Sequence, residues 1–328
     1  MASPGQSSLF NVFSELVTTT YRNHSKEIAD NTSKHNALYR RLTSKGKIRL
    51  EDGGLSIVQP LDYQANSTYQ RYSGYDVLNI NAVDVLTAAE YPWRQVAVNV
   101  AVSGLEMRTN SGANRIINFV KSKITNAQRS FANGLSVDIY SDGTASNQIN
   151  GIQALVADAG TGTVGGINSS TWAFWQNPVQ SAAAPLQGGS AITPSATTIE
   201  SLMLPLWIRL TRGNDAPDLI VMSDDYFTMY EQSQTSLKRY TSDQTGQGGM
   251  VSMKYKTADV FFDSSGGIPT AHAYFLNTDF IELVAHQDAN MTMMDTLHSV
   301  NQDALVHPIL FQGNLVSSAR FLSGVMKA

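Results

Sequence analysis

The densest set of metal-ligating side chains is His286, Asp288, Asp295 and His298. They stand at irregular spacing among threonines and methionines, and a metal needs donors that converge on one point. The spacing supplies no such convergence, so no metal site is expected. The acidic pair Asp224-Asp225 directly follows Ser223 at the start of an apolar-periodic segment. There it reads as a helix cap with an acidic first turn complementing the helix dipole, not as an acid/base pair. Gly160-Thr161-Gly162-Thr163-Val164-Gly165 is a literal G-x-G-x-x-G. In a dinucleotide site that motif opens an apolar helix, and an acid follows about 20 residues later to hold the ribose. Here Gly166-Ile167-Asn168-Ser169-Ser170 follows, and Gln176 to Gly189 contains no acid. The motif therefore reads as a flexible loop, with no cofactor. No phosphate-cradling G-x-x-x-x-G-K-[ST], no G-x-S-x-G and no H-E-x-x-H is present. With no cysteine, thiolate zinc sites, disulfides and cysteine nucleophiles are excluded. No catalytic residue is expected.

The chain that leaves chemistry unassigned is long, at 328 residues, and can bury a large core. Its hydrophobic content, 42%, is ordinary, but only 15% of residues are charged, against about a quarter in a typical globular domain. Ser, Thr, Asn, Gln and Gly fill the gap. Such a surface carries little charge repulsion and suits a protein packed against copies of itself. The net charge of −4 argues against a dedicated nucleic-acid binder. No basic n-region with an apolar run opens the chain, and no stretch has the length of a membrane span. A cytoplasmic setting is expected.

One stretch dominates the positioning elements. Gln95 to Val102 places a valine at every second position, the pattern of a half-buried strand. Asn110-Ser111-Gly112 then offers a turn and an N-cap. Ile116, Val120, Ile124, Ala127 and Phe131 follow at i, i+4, i+8, i+11 and i+15, one stripe of a helix. Asn133-Gly134 is read as its stop. The spacing thus predicts a helix of about 22 residues and about 33 Å, buried along one side.

Upstream, Leu9, Val12, Phe13, Leu16 and Val17 form an amphipathic helical pattern between Ser7 and Tyr21. Residues 22–49 are basic, with Arg40, Arg41, Lys45, Lys47 and Arg49 at the end, and suit a solvated, partly mobile extension better than an arm docked on an acidic neighbour or facing nucleic acid. From 50 to 92 the chain reads as an excursion: Gly53-Gly54 turns, Leu55 to Leu61 is a short strand, and Val77 to Val85 alternates. Tyr63, Tyr69, Tyr72 and Tyr75 punctuate polar residues, and tyrosine is favoured at interfaces. A projecting hairpin against a neighbouring subunit and an intramolecular antiparallel sheet both fit. Trp93, Val96, Val98 and Val100 are the candidate return strand.

Downstream, Leu135 to Tyr140 alternates and reads as a strand. Residues 144–195 are loop-rich, with Trp172, Phe174 and Trp175 either in a small core or stacked on a sugar. Thr193-Pro194 is expected to start a helix to Arg212 kinked at Pro205. Pro217 to Met222 is a strand, and Ser223 caps a helix to Leu237. The last 75 or so residues read as β-rich, over 258–263, 271–276, 280–285, 304–311 and 320–325.

Several fragments carry a resemblance. Trp93-Arg94-Gln95, the valine strand, Ser103-Gly104-Leu105-Glu106, Asn110-Ser111-Gly112, the long helix and Tyr140-Ser141-Asp142-Gly143 resemble tailed-bacteriophage major capsid proteins, in that order. So do Pro217-Asp218-Leu219-Ile220-Val221, Tyr274-Phe275-Leu276-Asn277-Thr278 and Gly313-Asn314-Leu315-Val316-Ser317-Ser318. The similarity runs from about residue 50 to the end. It implies an α+β capsid fold of the Hong Kong ninety-seven type. The parts would be an N-terminal arm (1–47), an extended β-hairpin loop with flanking strands (48–103), a spine helix in the peripheral domain (104–144), an axial domain (145–255) and remaining strands of both domains (256–328).

The resemblance further implies self-assembly as pentamers and hexamers into an icosahedral shell around phage DNA, held without sequence-specific contact. A separate scaffold or maturation protease, a portal and a decoration protein would be partners, with assembly in the host cytoplasm and no membrane. A nanocompartment shell is the same-fold alternative; a carbohydrate-binding protein or hydrolase using Trp172 and Trp175 is the alternative from another class.

Overall fold

The computed structural model describes residues 36–81, 83–109, 113–234, 253–263, 265–295, 297–298 and 301–328. The amphipathic pattern of residues 7–21 and the first part of the basic arm lie outside them.

The first described element is helix α1 (Ala37–Ser44), capped by Asn36, whose side chain accepts from Tyr39 N. Strand β1 (Ile48–Glu51) follows, then the antiparallel pair β2 (Ile57–Asp62) and β3 (Leu86–Tyr91), then β4 (Arg94–Ser103). Helix α2 (Gly104–Thr109) leads into the long helix α3 (Ala113–Asp138), and α4 (Ile152–Leu155) is a single turn. The second half contributes β5 (Thr163–Val164), β6 (Ile167–Asn168), β7 (Val179–Ser181), helix α5 (Ile199–Leu210), β8 (Leu219–Met222) and helix α6 (Asp224–Ser233). The chain closes with β9 (Met253–Tyr255), β10 (Ala258–Phe262), β11 (His272–Leu276), β12 (Ile281–His286), β13 (Thr292–Met293), β14 (Leu297–His298), β15 (Ala304–Ser317) and β16 (Gly324–Lys327).

Two six-stranded sheets result. In one, β15 is the axis: β4 pairs along its first ten residues, while β12, β13 and β14 take the other side. Gly313 bonds to both flanks, opposite Ala285 and Arg94. A Cβ there would lie 2.4 Å from the Val284 carbonyl oxygen, so only glycine allows this approach. The other sheet has the order β7-β16-β11-β8-β10-β9. Its central strands are buried on both faces, which explains their unbroken apolar runs. Successive side chains alternate between faces. Thus Leu219, Val221, Tyr274, Leu276 and Val325 join the large core, while Ile220, Met222, Ala273, Phe275 and Met326 join a second core under α5 and α6.

Helix α3 packs its stripe on the first sheet. Ile124, Ala127 and Phe131 are buried, and the Phe131 ring meets Phe311 of β15 edge-on. Ile116 and Val120 lie on the helix, but their side chains fall outside the described set. The helix does not stop at Gly134. Leu135 and Ile139 extend the Phe131 row at i+4 and i+8 and are fully buried. Their burial outweighs the roughly 1 kcal/mol that a mid-helix glycine costs. The strand expected over 135–140 is therefore the last turn of the helix and its exit.

Three further expectations shift. Residues 37–44 are not a free arm: Leu38 and Leu42 are completely buried, and Asn36 donates to Ser136 O at the end of α3. Helix α5 begins at Ile199, not after Pro194, because Thr198 Oγ1 donates to Thr193 O and folds the preceding residues into a turn. The stretch 77–81 forms no strand and is exposed throughout, so nothing rewards its alternation. Helix α6 is described through Ser233; its expected last turn lies outside the described residues.

Candidate functional site

The hairpin β2–β3 carries the feature with least internal explanation. Ile57 and Tyr91 pair at its base and are fully buried, and the pairing runs out to Asp62–Leu86. Beyond that, residues 64–81 project with large apolar side chains in solvent. Tyr75, Val77 and Ile80 are at least 89% exposed, and Tyr69, Tyr72 and Leu78 at least half exposed. A soluble monomer rarely leaves so many large apolar groups contiguous and uncovered.

The return strand of this hairpin is β3, not the candidate set Trp93, Val96, Val98 and Val100. Those residues follow the hairpin. Val96, Val98 and Val100 lie in β4 and pair with Phe311, Ile309 and His307 of β15. Trp93 closes the hairpin base, donating from Nε1 to Gly54 O at 3.0 Å with its ring edge-on to His286. The four tyrosines also separate. Tyr69, Tyr72 and Tyr75 sit on the projecting part, whereas Tyr63 is half-buried at the root against the rings of Trp172 and Phe174, at 5.8 and 6.1 Å.

The G-x-G-x-x-G motif is the buttress of that root. Strands β5 and β6 form a two-residue hairpin whose turn, Gly165-Gly166, has φ of 59° and 76°. Glycine takes positive φ at both turn positions without a Cβ clash. The turn docks on β3: Glu90 N donates to Gly165 O at 3.0 Å, and a Cβ on Gly165 would sit 2.7 Å from Ala89 Cβ. Trp175 is buried and donates to Val164 O at 2.9 Å, so it cannot stack on a sugar. A cleft of about 410 Å³ remains beside exposed Trp172, between the two hairpins.

Polar side chains hold the frame, and the fragments that carried the resemblance supply two of them, Asp218 and Asn314. Asp218 accepts from Thr278 N and Oγ1, both at 2.7 Å, and pairs with Arg41 and Lys45 of the α1 region. Asn314 donates to Pro92 O at 2.9 Å and accepts from Asn150 N at 2.9 Å, tying the hairpin exit to the loop after α3. Tyr91 donates to Ser317 O at 3.3 Å, and burial pushes its phenol up to about 12. Arg320 is buried, and among the described residues no carboxylate pairs with it. It donates to Leu155 O, Trp175 O and Asn177 Oδ1 at 2.6, 2.8 and 3.0 Å, and burial lowers its guanidinium to about 10. Composition-level reasoning missed these residues. Their signal is a polar or charged side chain inside an apolar run, as at Asn314 before Leu315-Val316 and Arg320 before Phe321-Leu322.

For the described end of the basic segment the acidic neighbours are internal. Arg41 pairs with Asp259 at 2.7 Å, Lys45 with Asp279 at 2.9 Å, and Arg49 with Glu282 at 3.6 Å. His286 Nδ1 accepts from Asp288 N, capping a short turn, and among the described residues no three metal-ligating side chains stand together. Asp225 reaches out of α6: Ser223 Oγ donates to it, and Ala271 N donates to its second oxygen at 2.9 Å. Among the described residues no helix is long and apolar enough to cross a membrane.

No family model matches the chain, and no curated protein matches it. Solved structures do. The capsid asymmetric unit of cyanophage A-1(L) superposes with a TM-score of 0.60 at 16% identity, covering 86% of this chain and 90% of that one. The capsid of a native GTA particle gives 0.57 at 12% identity over 90% of both chains. The holo-SrpI encapsulin complex from Synechococcus elongatus gives 0.50 at 8% identity over 87% and 86%. At such low identity the likeness speaks for architecture, and it extends over nearly the whole chain. The long helix on a sheet, the projecting hairpin and the second, helix-covered sheet together are the α+β capsid fold of the Hong Kong ninety-seven type.

Proposed function

We propose that the chain is a structural shell subunit, a phage major capsid protein that assembles as pentamers and hexamers around double-stranded DNA. The observation that carries this reading is the projecting 64–81 segment, anchored by Trp93, Tyr63 and Gly165 yet exposing Tyr72, Tyr75, Val77 and Ile80. A rigid root with an apolar tip is built to be covered by another copy, and repeated weak contacts close a shell through symmetry. The hairpin over 57–91, the peripheral domain around α3 and the axial domain over 145–255 are the parts this assembly would use. The role is structural, not enzymatic, with the virion as its place, host cytoplasm as the site of assembly, and scaffold, maturation protease, portal and decoration protein as candidate partners.

A nanocompartment shell enclosing an enzyme is the second reading, favoured by the likeness to the encapsulin structure. Cargo separates the two: nucleic acid for the first, protein for the second. The tip tests assembly itself. Tyr72→Ser with Tyr75→Ser and Val77→Ser should leave the fold intact, since exposed substitutions shift stability by about 0.5 kcal/mol or less each. Sedimentation should then show wild-type chain as large particles and the variant as small species. Equal particle yield from both chains would remove the hairpin from assembly.

A further inference from the structure

Between Met107 and Val137 the sequence holds no Asp or Glu, yet Arg108, Arg115, Lys121, Lys123 and Arg129 all fall there, in a chain whose net charge is −4. The structure sorts these cations. Arg108 is paired with Asp303 at 2.6 Å and Lys123 with Glu106 at 3.4 Å. Lys121 and Arg129 are exposed on α3, on the side away from the Ile124, Ala127 and Phe131 stripe, and no carboxylate pairs with either among the described residues. At i, i+4 and i+8, Lys121, Thr125 and Arg129 form one row, flanked by Ser122 and Asn126, and the five line a shallow groove. Hydroxyl, amide, ammonium and guanidinium groups are the donors that phosphate oxygens accept from. Eight residues of helix set the two cations about 12 Å apart along the axis, close to the roughly 12 Å width of the DNA major groove.

We infer that this exposed face of α3 is a sequence-independent contact surface for the phosphate backbone of double-stranded DNA. The surface lies on the side of the helix away from the face sealed on the β15 sheet. This rests on the shell reading only for double-stranded DNA as the polyanion it would meet; the contact itself stands on charge and geometry. A chain of net negative charge repels DNA over most of its surface, and an acid-free row confines contact to one side. Two cations per subunit, repeated by symmetry, hold DNA without fixing any base.

The test compares full-length wild type with K121Q/R129Q, both substitutions at exposed positions. A labelled short duplex is titrated across a range of salt, and particles are counted by electron microscopy in parallel. The expected result is at least about tenfold weaker duplex binding at low salt, with a salt slope flatter by roughly 1.8. Shells that form normally while duplex affinity and slope stay unchanged overturn the inference and leave the shell reading standing. If neither chain forms shells but the affinity still falls, the contact surface holds and the shell reading fails. Loss of polyglutamate binding with duplex binding intact overturns it in favour of an acidic protein partner.

Discussion

Burying Arg320, with no carboxylate paired to it among the described residues, commits the fold to three acceptors from distant parts of the chain. Leu155 O, Trp175 O and Asn177 Oδ1 converge on one guanidinium and join α4, the aromatic loop and the C-terminal strand region. Methionine fills similar volume but leaves those acceptors without donors, each costing about 1–3 kcal/mol. Arg320→Met should therefore lower unfolding free energy by roughly 3 kcal/mol or more in urea titration. A change below about 1 kcal/mol would mean that water satisfies these groups equally well. Tyrosines set the alkaline limit. Burial pushes Tyr91, Tyr226 and Tyr255 up to about 12, and Tyr140, Tyr230 and Tyr274 are also raised by burial. The unfolded chain releases these protons near pH 10 and the folded chain does not. This contribution is whole below about pH 10 and is lost as pH rises toward 12. Arg320, lowered by burial, acts in the opposite sense over the same window but is one group against seven tyrosines, Tyr39 being raised by burial as well. Phenolate absorbance should rise in two parts: exposed tyrosines near pH 10, and buried ones together with loss of circular dichroism. All 13 tyrosines titrating together in an intact fold would contradict this.

At the scale of elements, α3 shows what periodicity reveals and what it hides. The stripe Ile124, Ala127 and Phe131 was legible because one buried face forces a 3.6-residue repeat. Phe131→Ala should cost about 3–5 kcal/mol, the range for emptying a large buried aromatic; thermal unfolding of the variant measures it, and an unchanged midpoint would deny the packing on Phe311. The end of α3 was not legible, since Gly134 is a stop by local preference and only tertiary burial of Leu135 and Ile139 overrides it. The hairpin divides the same way. Gly53-Gly54 and the tyrosines marked an excursion, but β3 was hidden: its pairing with β2 bridges a gap from Asp62 to Leu86 that no local pattern spans. G-x-G-x-x-G read as a loop, yet its work as a turn on Ala89 and Tyr91 depends on contacts between distant residues. The polar joints Asp218, Asn314 and Arg320 interrupt apolar runs, but their distant partners were illegible for that reason too.

Across the whole molecule, two sheets share one large core, and the alternation of β8, β11 and β16 feeds a second core under α5 and α6. Among the described residues the 64–81 tip carries the densest run of exposed large apolar side chains. A frame that rigid transmits the position of its tip, because Trp93, Tyr63 and the Gly165 turn fix the root. That is the requirement for identical copies to repeat one contact around five- and six-fold axes. The fold itself was legible from the order of sequence fragments; which strand belongs to which sheet was not, since β15 and β16 are neighbours in sequence and part into different sheets. Electron cryomicroscopy of the purified full-length chain, with and without a scaffold, tests the shell claim most directly. The account predicts closed particles of pentamers and hexamers in which Tyr72, Tyr75 and Val77 are covered by a neighbouring copy. Monomers under every assembly condition, or particles whose hairpin tips stand free in solvent, would contradict it.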